Sequence, residues 1–141
     1  MTQKVRDVMT ANPVALEDEA SVVEAAKAMR DGDFGSIIVL KGQGGPVCGV
    51  VTDRDIAVRV VAEGVDPNEV RLADICDADV TTVGPDEPAD KVAELMRKKA
   101  IRRVPVVEGE RLVGVVSLGD LAKKMDEGRA LADISAAPPN R

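Results

Sequence analysis

Apolar residues follow two periodicities along this chain, one typical of helices and one typical of strands. In two segments they fall at positions i, i+3, i+4 and i+7, which predicts an amphipathic helix in each. The two sets are Val22, Ala25, Ala26 and Met29, and Ala89, Val92, Ala93 and Met96. Ser21, with Glu24 three residues later, is suited to cap the first helix, and Asp86 lies just upstream of the second.

Continuous apolar runs predict strands after each of these helices. They occupy Ser36–Leu40, Val47–Thr52, 104–107 and 112–117, and a Gly-containing turn joins the two runs of each pair. Shorter extended segments at 13–16 and 80–83 precede the helices. Between the two sets of elements, Asp66-Pro67 predicts the cap and first position of a short turn.

The elements occur twice in the same order, and the residues repeat with them. Residues 5–9 (VRDVM) recur as 72–76 (LADIC) at an offset of 67, and the helix positions recur at the same offset. Residues 49–56 (GVVTDRDI) recur as 114–121 (GVVSLGDL) at an offset of 65, with the difference in the loop between the paired strands. The sequence therefore predicts an α+β fold of two β-α-β-β-α repeats related by pseudo-two-fold symmetry.

The boundaries of the repeats follow from their last helices. These are predicted to begin near Asp53 and Leu118 and to end before Gly64 and Gly128, because glycine commonly terminates helices. Each repeat is too small to bury much core alone, so the two are expected to pack on each other. We assign 1–62 to the first repeat, 63–71 to a connector, 72–128 to the second repeat and 129–141 to a partly disordered tail.

One short pattern closes both repeats: glycine, two β-branched residues, a hydroxyl residue, any two residues and aspartate. Thr52 with Asp55, and Ser117 with Asp120, are spaced as capping boxes. In a capping box the hydroxyl and the carboxylate satisfy free N–H groups at a helix start. This structural role accounts for the pattern without any ligand.

The same geometry also suits a phosphorylated ligand. A helix start beside a strand end offers unpaired N–H groups and the positive end of the helix dipole. The hydroxyl adds a donor, and a carboxylate that faces a cleft accepts two hydrogen bonds from a ribose diol. Gly49 and Gly114, earlier in the strands, would let a flat ring approach the backbone closely. The residues alone leave both interpretations open.

Two repeats that each end in G-h-h-[ST]-x-x-D resemble a tandem pair of CBS (cystathionine-β-synthase) domains, also called a Bateman module. The resemblance covers residue 5 to about 127, and the phrase TDRDIA at 52–57 is similar to short stand-alone bacterial members of the hypoxic-response type. It implies binding of AMP, ADP or ATP in the cleft between the repeats, and assembly of two chains into a flat four-domain disc. It implies neither catalysis nor a cofactor beyond the bound adenine nucleotide.

The resemblance also assigns roles to individual residues. Asp55 and Asp120 resemble the ribose-binding acids of the family, and Thr52 and Ser117 its phosphate-side hydroxyls. The adenine face is expected from backbone segments of both repeats, at 12–14 with 36–38 and at 79–81 with 103–105. The candidate residues in these segments are Val14, Ser36, Ile37, Thr81, Arg103, Val104 and Pro105.

The two sites are expected to differ in positive charge. Arg102 and Arg103 stand in the second repeat where the first has two small residues, and a basic residue there often reaches across the cleft in the family to phosphates held by the other repeat's acid. Since the chain carries a net charge of −6, a polyanion needs local cations, and arginine suits bidentate phosphate contact. We therefore expect the Asp55 site, with Arg54 nearby, to bind more tightly. A solvated role for the arginines is the alternative.

The helix that follows Asp55 is apolar on nearly every side. In residues 56–62 (IAVRVVA) only Arg59 is polar. A helix covered on one side alone would leave an exposed apolar patch, which usually marks an interface. We expect a two-fold homodimer in which these helices pack across the axis. Burial within one chain is the alternative.

The composition excludes several classes of function. The chain has no His, Trp or Tyr and one Phe, so histidine-based catalysis and the common zinc sites are excluded, and no metal site is expected. An isoelectric point near 4.7 with almost no aromatic residues argues against nucleic-acid binding. No apolar stretch is long enough to span a membrane, and the start lacks a signal core, so we expect a cytoplasmic protein without a membrane partner.

The chain has two cysteines, Cys48 and Cys76, and they lack the spacing of a CxxC motif. Each is interpreted as a small buried hydrophobe in a reducing compartment. A redox pair is the alternative.

The sequence thus predicts a non-catalytic regulatory protein that senses adenine nucleotides and acts on an unidentified protein partner. The alternative is a constitutive homodimeric interaction module, with pockets that are vestigial or bind another adenosyl ligand such as S-adenosylmethionine or a dinucleotide. The sequence offers little support for a catalytic function. Asp53 and Asp55 are oxygen ligands of the kind Mg²⁺ takes, but an acid pair at a helix start is more often a cap.

Overall fold

The computed structural model describes residues 3–76 and 80–127, with the backbone alone for residues 125–127. The helices are Val5–Val8 (α1), Val22–Gly32 (α2), Asp53–Ile56 (α3), Leu72–Ile75 (α4), Ala89–Lys99 (α5) and Leu118–Glu127 (α6). The strands are Thr10–Ala11 (β1), Ala15–Glu17 (β2), Ser36–Leu40 (β3), Val47–Thr52 (β4), Arg103–Glu108 (β5) and Arg111–Ser117 (β6). Within the described ranges the longest helices, α2 and α5, have 11 residues each, and none is long and apolar enough to cross a membrane.

These elements form two compact units. The contiguous unit comprises the described residues of Val14–Val80. The split unit combines the described residues of Met1–Pro13 with those of Thr81–Arg141. Each unit therefore draws on both sequence repeats.

The contiguous unit has a three-stranded sheet in the order β2-β3-β4. β2 and β3 run parallel and are connected by α2, whereas β3 and β4 form an antiparallel hairpin. Ser36 pairs with Thr52, so the start of β3 lies beside the end of β4. The buried core consists of Val22, Ala25, Met29, Ile37, Val39, Val51, Val60, Val70, Leu72 and Ile75.

The split unit has a three-stranded antiparallel sheet in the order β1-β6-β5. The strand expected at 80–83 is reduced here to one parallel bridge between Val83 and Val106. Pro85 follows two residues later and has no N–H with which to extend a ladder. The buried core consists of Val5, Val8, Val83, Ala89, Val92, Met96, Val104, Val106, Val116 and Leu121.

Each unit is completed by a short helix that belongs, by sequence, to the other repeat. In the split unit the Val5 N–H of α1 donates to the Glu87 carbonyl at 2.8 Å. In the contiguous unit the Leu72 N–H of α4 donates to the Ala20 carbonyl at 2.9 Å. The two donors, Val5 and Leu72, are 67 positions apart, and so are the two acceptors. In the first bond the donor belongs to the first repeat and the acceptor to the second, and in the second bond this is reversed. The apolar side chains of α1 and α4 are buried, so the repeats exchange their first segments.

The helix starts follow the predicted caps in two places and depart from them in a third. Ser21 Oγ accepts from the Glu24 N–H at 3.1 Å, and Asp66 caps the 3-10 turn at Pro67–Glu69. Asp86 does not cap α5, because the helix begins at Ala89 and Pro88 occupies the N-cap position. The Asp86 carboxylate instead accepts from Arg6 Nη2 at 2.6 Å. This hydrogen bond lowers the pKa of the Asp86 carboxyl below its ordinary value and links α1 to the turn before α5.

The helix after β4 ends where the sequence predicts, although it changes type. α3 continues as a π-helix over Ala57–Val61, in which the Ala62 N–H donates to the Ala57 carbonyl at 2.9 Å. Gly64 has a φ of +70°, as expected for a glycine that terminates a helix. Gly128 and the tail at 129–141 lie outside the described residues.

A close approach between β1 and β6 requires the glycine at position 114. Gly114 is buried and pairs with Ala11, and a Cβ there would lie 2.6 Å from Met9 Sδ and 2.9 Å from the Thr10 carbonyl oxygen. The expectation that this glycine admits a ligand ring is wrong, because β1 takes the space. Gly49, at the matching position of β4, is also buried.

We predict that Gly114→Ala destabilises the protein by about 1–3 kcal/mol, because the new methyl group overlaps backbone that cannot move without breaking the β1–β6 pairing. Urea unfolding of the purified protein measures the loss. Gly84→Ala is the matched control, since a Cβ at that position meets its nearest neighbour, Glu87 Oε2, at an ordinary 3.5 Å. An equal loss at both glycines would contradict the close-approach argument.

Candidate functional site

The hydroxyl and carboxylate of the first closing pattern lie where β4 passes into α3. Thr52 Oγ1 accepts from the Asp55 N–H at 3.1 Å, and Asp55 Oδ2 accepts from the Thr52 N–H at 2.9 Å. The predicted capping box is therefore present. Asp55 is half-buried, and its second carboxylate oxygen has no partner among the described residues.

The neighbouring amides of α3 are also bonded within the contiguous unit. The Asp53 N–H donates to the Gly35 carbonyl at 2.9 Å, and the Arg54 N–H donates to Asp53 Oδ1 at 2.8 Å. The Asp53 carboxylate lies over Gly35, where a Cβ would come within 3.0 Å of its Oδ2. The three amides of the first turn thus have protein acceptors, and an anion at this helix start would meet the Asp53 carboxylate.

The second closing pattern lies at the junction between β6 and α6 in the split unit. Ser117 is buried, and its Oγ accepts from the Asp120 N–H at 3.0 Å. The Leu118 N–H donates to the Arg102 carbonyl at 2.8 Å. Leu118 stands where the first pattern has an aspartate, so no carboxylate covers the next amide. That amide, of Gly119, has no acceptor among the described residues.

Asp120 departs from the predicted capping box. Its Oδ2 accepts from Thr10 Oγ1 on β1 at 3.1 Å. The hydroxyl half of the box is present, and the contact with β1 takes the place of the carboxylate half. The sequence does not predict that Thr10 donates to Asp120, because the two residues are 110 positions apart and no local pattern indicates the contact. Only the exchange of first segments brings it to Asp120.

The other candidate residues differ in exposure. Three are buried and offer a ligand backbone atoms alone: Ile37, Val104 and Pro105. Three are accessible: Ser36 and Thr81, which are half-buried, and Val14, which is 48 % exposed. Val14 and Ser36 lie in the contiguous unit and Thr81 in the split unit. Asp79, in the expected adenine-facing segment, lies outside the described residues.

The charges at the two junctions differ in sign. Arg103 pairs in register with Ser117, and Arg102 precedes it, so two arginines accompany the Asp120 carboxylate in the split unit. In the contiguous unit Arg54 is accompanied by the two aspartates of α3. Counting these residues, the junction in the split unit carries a net positive charge, and the junction in the contiguous unit carries a net negative charge.

A divalent metal would need oxygen ligands from several side chains. Asp53 and Asp55, the acid pair singled out in the sequence, each have a carboxylate oxygen bonded to a backbone amide at the start of α3. In the part of the chain that the structure describes, no group of three or more His, Cys, Asp or Glu side chains is placed to hold a metal. The contacts of the two acids are those of helix caps.

Comparison with known proteins identifies relatives that match nearly the whole chain. Hypoxic response protein 1 of Mycobacterium tuberculosis is 30 % identical over 131 residues, which cover 93 % of this chain and 91 % of the relative. The hexameric CBS-CP12 protein from bloom-forming cyanobacteria superposes with a TM-score of 0.80 at 31 % identity, over 96 % of this chain and 79 % of the other. The CBS domain pair of protein MJ0100, in complex with 5′-methylthioadenosine and S-adenosyl-L-methionine, superposes with a TM-score of 0.78 at 29 % identity, over 92 % of this chain and 99 % of the other.

The family comparison agrees with the internal repeat. The family model for the CBS domain matches residues 5–62 and again residues 72–127. The solved relatives confirm the α+β fold, and hypoxic response protein 1 confirms the similarity to short bacterial CBS pairs. The chain belongs to the CBS-domain family and carries a tandem pair of CBS domains.

Proposed function

We propose that this CBS pair binds an adenine nucleotide, AMP, ADP or ATP, and serves as a regulatory protein without catalytic activity. The observation that carries the proposal is the state of its two aspartates. Asp55 and Asp120 are both half-buried, and each has a carboxylate oxygen that no described residue occupies. A carboxylate accepts up to about four hydrogen bonds. Each aspartate therefore has capacity for a ribose diol in addition to its structural partner.

Support for phosphate binding comes chiefly from the split unit. Arg102 is exposed and Arg103 half-buried, and the Gly119 amide lies in the first turn of α6, where the helix dipole favours an anion. In the contiguous unit Asp53 already bonds the matching amide. We expect the two junctions to differ in their preference for polyphosphates. That Asp55 belongs to the tighter site stays a prediction.

A second candidate ligand is S-adenosylmethionine, and Asp53 is the observation that favours it. A phosphate at the start of α3 would be repelled by this carboxylate, whereas the sulfonium of S-adenosylmethionine is a cation and would be attracted. The structure of the MJ0100 domain pair contains S-adenosyl-L-methionine and 5′-methylthioadenosine. A panel of adenosyl compounds therefore belongs in the same titrations as the nucleotides.

Regulation requires that the bound nucleotide change what another protein encounters. A ligand shifts a conformational equilibrium only through different affinities for the two states. The regulated protein stays unidentified. The cytoplasmic location of the CBS pair, and the absence of nucleic-acid and membrane partners, stay predictions from the sequence.

We also propose that two chains associate through the helix that follows Asp55. Val58, Val61 and Val65, here called the valine patch, are 47 %, 69 % and 44 % exposed. Exposed apolar side chains close together in sequence are typical of association surfaces, because their burial removes apolar area from water. The cyanobacterial relative assembles as a hexamer, which supports self-association in this family.

We predict that the wild-type protein binds AMP, ADP or ATP in calorimetric titrations, and that Asp55→Ala and Asp120→Ala each lower the affinity of one site by about 10- to 100-fold. The basis is the loss of charge-assisted hydrogen bonds to the ribose, which are worth about 1.5–3 kcal/mol. Comparing the two variants also decides which aspartate belongs to the tighter site.

Asp55→Asn separates ligand binding from capping. The amide oxygen of asparagine still accepts from the Thr52 N–H, so thermal unfolding is expected to match the wild type within about 0.5 kcal/mol. Ribose affinity is nevertheless expected to fall, because the charge is lost. Unchanged nucleotide binding in both alanine variants would remove the ribose role. No response to any nucleotide, S-adenosylmethionine or dinucleotide would favour a constitutive interaction module.

We predict that the wild-type protein sediments at twice the 14.8 kDa mass of the chain at micromolar concentration, and that Val61→Glu weakens this association by at least about 100-fold. The effect is large because a two-fold interface receives the new charge twice. Gln43→Glu, in the exposed turn after β3, adds the same charge outside the valine patch and should leave the dimer intact. A wild-type protein that sediments as a single chain would contradict the proposal.

A further inference from the structure

Two cysteine side chains meet inside the contiguous unit. The sulfur atoms of Cys48 and Cys76 lie 3.3 Å apart, and both residues are half-buried. Cys48 is the second residue of β4, an edge strand of its sheet, and Cys76 directly follows α4. The contact therefore joins strand β4 of the first repeat to the first segment of the second repeat, at a half-buried position.

Packing does not account for having two thiols at this place. The matching positions in the split unit, by the offsets of 65 and 67, are Val113 and Met9. Both are partly buried and pack against the core of that unit. Ordinary apolar side chains thus fill the same two positions in the companion unit. The contiguous unit combines the packing with a pair of thiols, which the split unit lacks at these positions.

We propose that Cys48 and Cys76 form a reversible disulfide when the protein meets a small-molecule disulfide oxidant. The thiolate of one cysteine attacks a sulfur of the oxidant RSSR, a protein–SR bond forms, and one RS⁻ leaves. The second thiolate then attacks the protein sulfur of this mixed disulfide, the protein S–S bond forms, and the second RS⁻ leaves. Two protein thiols lose two electrons and two protons, and RSSR becomes two RSH. The sulfur atoms need to approach by only about 1.3 Å to reach the length of a disulfide bond.

The bond would fix α4 to the edge of its sheet. Arg59 Nη1 already donates to the Ile75 carbonyl at 3.0 Å, so the residue before Cys76 is tied to the helix after β4. The disulfide would add a covalent link across a separation of 28 residues. The contiguous unit ends at Val80, soon after Cys76. Oxidation would therefore attach the chain covalently to β4 close to the end of this unit. This inference does not rest on nucleotide binding.

The test uses the purified protein, residues 1–141, incubated with oxidised glutathione. We expect the intact mass to fall by about 2 Da, without a retained glutathione adduct, and dithiothreitol to restore it. Peptide mapping under non-reducing conditions should identify a Cys48–Cys76 crosslink. The oxidised protein should unfold about 5–10 °C higher than the reduced protein, because the crosslink restricts the unfolded chain.

The control variants are Cys48→Val and Cys76→Met, which place the residues of the split unit at the matching positions. Neither variant should form the crosslink, and the oxidant should no longer raise the melting temperature. The reduced variants should keep their fold. The mapping on the wild type decides the matter even if a variant fails to fold. Stable glutathione adducts without a crosslink, or a crosslink between chains, would overturn the proposal.

Discussion

Both units of this protein depend on side chains and backbone hydrogen bonds delivered by a short helix from the other repeat. A helix of four residues has no stability of its own in water. α1 and α4 are held by bonds such as Val5 to Glu87 and Leu72 to Ala20, and by the burial of their apolar side chains. In return they close the cores on which the longer helices and sheets pack. The exchange also reaches the site, because β1 follows α1 and carries Thr10 to the Asp120 carboxylate.

The sequence predicts the long elements and misses those that depend on exchange. The 3.6-residue period of α2 and α5 and the apolar runs of β3 and β4 are strong enough to fix type and approximate bounds. α1 and α4 are too short to show a period, and β1 has two residues. The capping box at Thr52 is local and therefore predictable. The partner of Asp120 is not, because tertiary structure selects a hydroxyl 110 residues away.

The two closing patterns show how one motif acquires two chemical settings. The shared hydroxyl and aspartate set the helix start in both units, and the differences lie in residues that the motif leaves free. Asp53 places a carboxylate against the Arg54 amide of α3, while Leu118 leaves the matching Gly119 amide of α6 without one. Gly35 admits the Asp53 side chain, whereas the matching Arg102 contributes positive charge. A pattern search that scores only the residues shared by the two repeats would treat the two junctions as equal, although their net charges are opposite in sign.

The reciprocal placement of α1 and α4 decides where this polypeptide can be divided. A fragment that ended in the connector would keep α1 without the core that buries it, and would leave the contiguous unit open where α4 belongs. A circular permutant opened between Pro13 and Val14, with residues 1 and 141 joined by a linker, would instead make each unit continuous in sequence. The boundary between the two sequence repeats and the boundary between the two compact units therefore fall at different places in the chain.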